Sequence, residues 1–237
     1  MDHQTVTHSS PDPKRIVSYI VGEILSLAGM GVALFWSAGR VDWWAGWGAM
    51  AVMLGWLAAT AVIILRFNPA LLAERLDRHR GGKSWDTAIV SILGLLQLIR
   101  YILAGLDQRY DWTGGLPLAA QILAWFFCAL GYALFTWATA SNAFYSRIIR
   151  IQTERGHTVV QNGPYRYIRH PGYLGAIVYE LAVSILLASW WSLIPSGVNA
   201  VLLIVRTALE DRTLQAELPG YKDYTRRTTY RLLPGLW

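Results

Sequence analysis

The sequence predicts an all-α, polytopic membrane protein with about six membrane-embedded helical segments, the last two forming a helical hairpin. Three observations lead there. Of 237 residues, 54% are hydrophobic and only 15% are charged, where a soluble domain carries about 25% charged residues. Four apolar stretches, 16–38, 45–65, 87–106 and 116–140, are each close to the roughly 20 residues that a helix needs to cross a bilayer core. Twelve Trp are far more than a soluble core uses, and such aromatics gather at membrane–water interfaces.

The first stretch is too long for a cleavable signal peptide and lacks a small-residue cleavage site after it. Ahead of it, residues 1–13 are polar with two Pro and read as a disordered tail. A fifth apolar run follows His170-Pro171, over 172–188, and a sixth reaches Val205. Between them, Trp190-Trp-Ser-Leu-Ile-Pro-Ser-Gly197 reads as the tight turn of the hairpin. Trp36, Trp43, Trp44, Trp47, Trp85, Trp112, Trp190 and Trp191 fall near span ends and read as interface anchors.

The basic residues orient the chain. With the N-terminus in the cytoplasm, segments 66–86, 141–171 and 206–237 hold 5, 5 and 6 Lys/Arg, and Lys14 and Arg15 bring the total to 18 of 21. The opposite side keeps Arg40 and Arg109, and Arg100 lies within a span. Both termini are thus expected in the cytoplasm, in a bacterial inner membrane or its equivalent. The net charge of +6 is spread over membrane-flanking loops, so no nucleic-acid partner is expected. The single cysteine, Cys128, excludes a disulfide framework within the chain. The five His show no metal-ligand spacing, and no metal is expected.

The chain then divides into the tail 1–13, four transmembrane helices over 14–140, and a third region, 141–237, whose polar residues exceed what a membrane loop needs. Its first segment, 142–173, is too long for an ordinary loop and too rich in packing residues for disorder. Gly163-Pro164 marks a turn, and Pro171 suits an early helical position. In its second segment, Arg206 and Glu210 are four apart on one helical face. They form either a site or a surface i,i+4 ion pair. His170 either serves a site or caps the fifth helix. Arg166 and Arg169 either serve a site or anchor lipid phosphates, and Tyr221, Tyr224 and Trp237 read as packing or interfacial residues. Within the spans, Glu23, Arg100 and Glu180 are costly in lipid and are expected to face protein. Glu180 either lines a lipid-substrate cavity or pairs with Arg100.

The run Gly163-Pro-Tyr-Arg-Tyr-Ile-Arg-His-Pro-Gly-Tyr-Leu-Gly175, with Arg206-x-x-x-Glu210-Asp211 and Tyr221-x-x-Tyr224 downstream, resembles the isoprenylcysteine carboxyl methyltransferase family. More broadly it is similar to integral-membrane methyltransferases that include phospholipid N-methyltransferases. Leu218-Pro-Gly-Tyr221 departs from that family's usual acidic spacing. The resemblance implies S-adenosylmethionine as cofactor, held on the cytosolic side. It places Gln152, His157, Thr158, Val159, Val160, Tyr165, His170, Pro171, Gly172, Tyr173 and Glu210 around the cofactor. Arg206 and Glu210 become the catalytic pair, with Arg206 toward a lipophilic or prenylated acceptor. A carboxylate acceptor is already ionised near neutral pH, and a guanidinium can grip it by two parallel hydrogen bonds. Two other readings stay open: a lipid amine N-methyltransferase, which needs a neutral amine, and a sterol-reductase-like membrane enzyme using a nicotinamide nucleotide.

Overall fold

The computed structural model describes residues 13–66 and 82–237. All of the tail predicted over 1–13 except Pro13, which begins α1, and most of the basic loop over 66–86 lie outside the described residues. Seven helices are described: α1 Pro13–Ala38, α2 Trp44–Arg66, α3 Ser84–Tyr110, α4 Leu118–Ser141, α5 Pro171–Leu186, α6 Trp190–Glu217 and the short α7 Tyr221–Arg227. No strand occurs among the described residues. Five of the seven (α1–α4 and α6) are long and apolar enough to cross a membrane, and α5 is a shorter apolar helix. Their outer faces expose Leu25, Val32, Leu54, Leu95 and Phe126. That surface would be a liability in water, whereas hydrocarbon is its natural solvent. The chain is an integral membrane protein.

The turn between α5 and α6 is shorter than the sequence suggests. Ala188 adopts φ 56°, its N–H donates to the Ile185 carbonyl (3.0 Å), and the Ser189 N–H donates to the Ser184 carbonyl (3.1 Å). This is a Schellman termination, with Ala where glycine is usual. Ser189 closes α5 and also opens α6, its hydroxyl accepting from the Ser192 N–H at 3.1 Å. The stretch from Trp190 to Gly197 is therefore helix, not turn. Pro195 sits inside it, forfeiting one helical hydrogen bond near the end, where α6 is least dependent on it.

In hydrocarbon, close helix contacts depend on small residues. The α4–α5 crossing meets at Gly131 and Gly175. A Cβ on Gly131 would lie 2.6 Å from the Gly175 carbonyl oxygen and 3.0 Å from the Tyr179 nitrogen. Both are backbone atoms, so the helices would have to part. We expect Gly131→Ala to cost about 1–3 kcal/mol as overpacking. Gly29→Ala, which meets nothing within 4 Å, should be neutral. Unfolding midpoints in detergent check this, and equal midpoints for the two variants would contradict it.

A buried polar cluster fastens α3, α5 and α6 at mid-bundle. Fully buried Arg100 pairs with Glu180 and donates to the Tyr101 hydroxyl at 3.1 Å. Asn199 Nδ2 donates to the same Glu180 oxygen at 3.0 Å. Of the two readings of Glu180, the ion pair is the one observed. Removing one partner of a buried pair leaves a bare charge, at about 3–5 kcal/mol.

The aromatic belt is real at one end of the bundle. Exposed Trp112 meets Trp191 edge-on, ring centroids 6.1 Å apart, and Trp36, Trp44 and Trp47 are also exposed. Trp43 is an exception: it is buried and packs edge-on against Phe35 at 6.4 Å, a core residue rather than an anchor. At the other end, the start of α3, the end of α4, the start of α5 and the last turns of α6 enclose the site.

Candidate active site

A cavity of about 300 Å³ lies at that end. Helical periodicity builds its walls. On α6, Leu203, Arg206, Glu210 and Leu214 fall on one face and all line it. On α5, Gly172, Tyr173 and Ala176 do the same, and on α3 Val90 and Leu93. Trp56 and Phe135 add apolar walls from α2 and α4. The cavity thus passes from membrane-level apolar side chains to polar ones.

Most of the expected residues meet here. His157, Thr158, Val159, Val160, Tyr165, His170, Gly172, Tyr173, Arg206 and Glu210 all line the cavity. Gln152, Pro171 and Glu180 do not appear in its lining. Gln152 is buried behind it, its amide donating to the Phe144 carbonyl at 2.6 Å and accepting from Arg155 at 2.5 Å. Pro171 is the first residue of α5. Glu180 belongs to the mid-bundle cluster described above.

Arg206 is not in a surface pair with Glu210. Its Nε donates to Asp86 Oδ1 at 2.6 Å and its Nη2 to Asp86 Oδ2 at 3.0 Å. Nη2 also donates to the Arg147 carbonyl at 2.7 Å. Asp86, in the first turn of α3, is fully buried and accepts a third bond from the Ile149 N–H at 2.8 Å. The edge of the guanidinium expected to grip an acceptor is thus already occupied by a carboxylate of the protein.

Glu210 is the one carboxylate among the described lining residues. Arg147, Arg150, Arg169 and Arg206, also in the lining, pair with Glu23, Glu154, Asp211 and Asp86 respectively. Glu210 receives the Tyr173 hydroxyl at 2.5 Å and has no ion-pair partner among the described residues. A carboxylate without a salt bridge, beside the Tyr173 ring, is chemically suited to attract a cation.

Behind it stands a fully buried carboxylate. Asp211 accepts from His170 Nε2 at 3.2 Å, Arg169 at 3.1 Å, Tyr221 Oη at 3.1 Å, Arg231 Nε at 3.0 Å and Gln215 at 2.7 Å. His170 is the residue before α5, but its ring makes no capping bond to that helix; it turns to Asp211. Arg169 is buried here rather than reaching lipid phosphates, whereas Arg166 is exposed. The chain end is drawn in as well: the Arg169 and His170 N–H groups donate to the Tyr230 and Arg231 carbonyls at 3.0 and 2.9 Å. Tyr221 and Tyr224 are buried and line the cavity, and Tyr224 donates to the Tyr165 carbonyl at 2.6 Å.

Burial sets the protonation of the cavity residues outside the membrane-crossing helices. It pushes the phenols of Tyr165 and Tyr221 far above their ordinary range and lifts Tyr224 to about 12, so all three stay neutral. Burial, helped by Arg155, lowers the His157 pKa. The neutral ring suits its contact, since His157 Nδ1 accepts from the Gln152 N–H at 3.2 Å.

Residues 119–216 match the model of the isoprenylcysteine carboxyl methyltransferase family. A cobalt-zinc-cadmium resistance protein, CzcN, of Cupriavidus metallidurans is 32% identical over 174 residues, covering 68% of this chain and 68% of that protein. The chain belongs to the isoprenylcysteine carboxyl methyltransferase family. The family match spans α4 to the last turn of α6, which carry Tyr165, His170, Tyr173, Arg206 and Glu210. YpbQ of Bacillus subtilis, an uncharacterized protein, is 29% identical over 68% of this chain and 96% of its own length. A probable protein-S-isoprenylcysteine O-methyltransferase of Oryza sativa is 26% identical over 56% of this chain and 71% of its own. By family the chain is a methyltransferase, and the cavity is its candidate active site.

Proposed function

We propose that this protein transfers a methyl group from S-adenosylmethionine to the carboxylate of a prenylcysteine-like amphiphile held in the bilayer. One observation carries the reading: Glu210, without a salt bridge among the described residues, shares a cavity with Arg206, whose guanidinium is bridged to Asp86. The site therefore has a place for a sulfonium cation and a separate donor for an anion.

The lining suits the cofactor in charge and in its aromatic and apolar residues. Glu210 would attract its cationic end, while Tyr165, Tyr173 and the 157–160 stretch would surround the remainder. When bound, S-adenosylmethionine supplies an electrophilic methyl group. The protein's own task is placement and the exclusion of water. Arg206 would hold an acceptor oxygen. Val90, Leu93, Leu203 and Trp56 would receive its apolar portion. No residue has to accept a proton, since a carboxylate is already ionised near neutral pH. An amine acceptor would need a base and would gain nothing from Arg206.

The site end of the bundle carries most of the Lys and Arg. We place it, with both termini, on the cytoplasmic side, in a bacterial inner membrane or its equivalent. The test is methyl transfer in vesicles from label-bearing S-adenosylmethionine, with an N-acylated S-prenylcysteine or phosphatidylethanolamine as acceptor. We expect a base-labile methyl ester on the first and no label on the second. Label on the amine alone would overturn the carboxylate reading.

A further inference from the structure

We propose that Asp86 is a positioning residue for the acceptor: it fixes Arg206 so that Nη1, rather than the two-pronged edge of the guanidinium, meets the acceptor carboxylate. This rests on the reading of Arg206 as the acceptor's contact. A guanidinium has five N–H groups. Asp86 takes the one on Nε and one on Nη2, and the Arg147 carbonyl takes the other on Nη2. The two on Nη1 have no partner among the described residues, and Nη1 is not among the atoms sealed from solvent without one. Arg206 lines the cavity, so Nη1 is the donor left for a ligand.

The same carboxylate also shapes the wall opposite. Asp86 receives the Ile149 N–H, and the Lys83 N–H donates to the Ile149 carbonyl at 3.3 Å. Arg206 holds the Arg147 carbonyl, and Arg147 itself pairs with Glu23 of α1. Residues 144–150, which line the cavity as a continuous strap, are thus hung from the Asp86–Arg206 pair. One buried carboxylate sets both the direction of the acceptor's donor and the position of the strap beside it. Pairing also neutralises Arg206, so a single acceptor carboxylate is bound by a directed hydrogen bond rather than by a bare charge.

The experiment is a double-mutant cycle on acceptor KM, kcat and S-adenosylhomocysteine affinity, with Asp86→Asn, Arg206→Lys and the pair, in the full-length protein in vesicles. An N-acylated S-prenylcysteine is the acceptor probe, and activity is expressed per molecule that binds S-adenosylhomocysteine. We expect Asp86→Asn to raise acceptor KM tenfold or more, with kcat and S-adenosylhomocysteine affinity changed less than threefold. In the Arg206→Lys background the same change should move KM less than threefold. Asp86→Glu, which keeps the charge but lengthens the arm, should also raise KM. A wild-type KM in Asp86→Asn or Asp86→Glu would overturn the inference. So would full additivity with Arg206→Lys, or failure of both Asp86 variants to fold while Arg206→Lys folds, which would leave Asp86 a structural residue. An unchanged KM in Arg206→Lys would instead overturn the reading of Arg206 on which the inference rests.

Discussion

Glu210→Gln weakens S-adenosylhomocysteine binding at least tenfold in a protein that still folds. Glu210 accepts the Tyr173 hydroxyl, and the glutamine carbonyl can accept it too, so the wall of α5 against α6 is kept. What disappears is the one carboxylate charge among the described lining residues. A hydrogen bond to a charged group is worth about 1.5–3 kcal/mol, and roughly 1.4 kcal/mol is a factor of ten. Comparing S-adenosylmethionine with S-adenosylhomocysteine locates the contact. A larger loss for the sulfonium places Glu210 near sulfur, and equal losses place it at the amino group. Calorimetry in detergent measures both, and unchanged affinities for both would remove Glu210 from the pocket.

Arg206→Lys lowers methylation of a carboxylate acceptor about a hundredfold, which corresponds to roughly 2.7 kcal/mol of transition-state stabilisation. The structure makes this exchange harsher than a loss of planarity. Arg206 serves Asp86, the Arg147 carbonyl and the cavity from separate nitrogens. Lysine has one nitrogen on a flexible stem, and the buried Asp86 carboxylate beside it will claim that nitrogen first. The acceptor is left without its donor while the charge of the site is unchanged. S-adenosylhomocysteine affinity should therefore stay within a few-fold. Binding that falls in step with turnover would assign Arg206 to the cofactor, and full turnover would favour an amine acceptor.

The parts legible in the sequence were those governed by local pattern. Apolar runs of bilayer length marked α1 to α4 to within a few residues, apart from α3, which extends three residues earlier and four later. The motif around His170 and the spacing of Arg206 and Glu210 pointed to one cavity, because helical periodicity puts such residues on shared faces. What local pattern does not carry depends on long-range partners. Asp86 stands 120 residues from Arg206, and an acid in a first helical turn reads as an ordinary complement to the helix dipole. The partners of Asp211 come from the start of α5, α7 and the chain end, and no sequence window contains them all. The α5–α6 turn has Ala188 where glycine is usual, while Pro195-Ser-Gly197 carries the stronger local turn signal although a proline near a helix start is tolerated. Trp43 and Trp44 are adjacent, but only tertiary packing decides which is an anchor and which is core. Glu180 was legible as buried and functional or paired, and Arg100 decides between them.

This membrane cavity is expected to hold S-adenosylmethionine. Titration calorimetry of the purified full-length protein with S-adenosylmethionine, S-adenosylhomocysteine and NADPH tests it most directly. Saturable one-site binding of the first two is expected, with no heat of binding from NADPH. Binding of NADPH without S-adenosylhomocysteine would contradict it and make the protein a reductase.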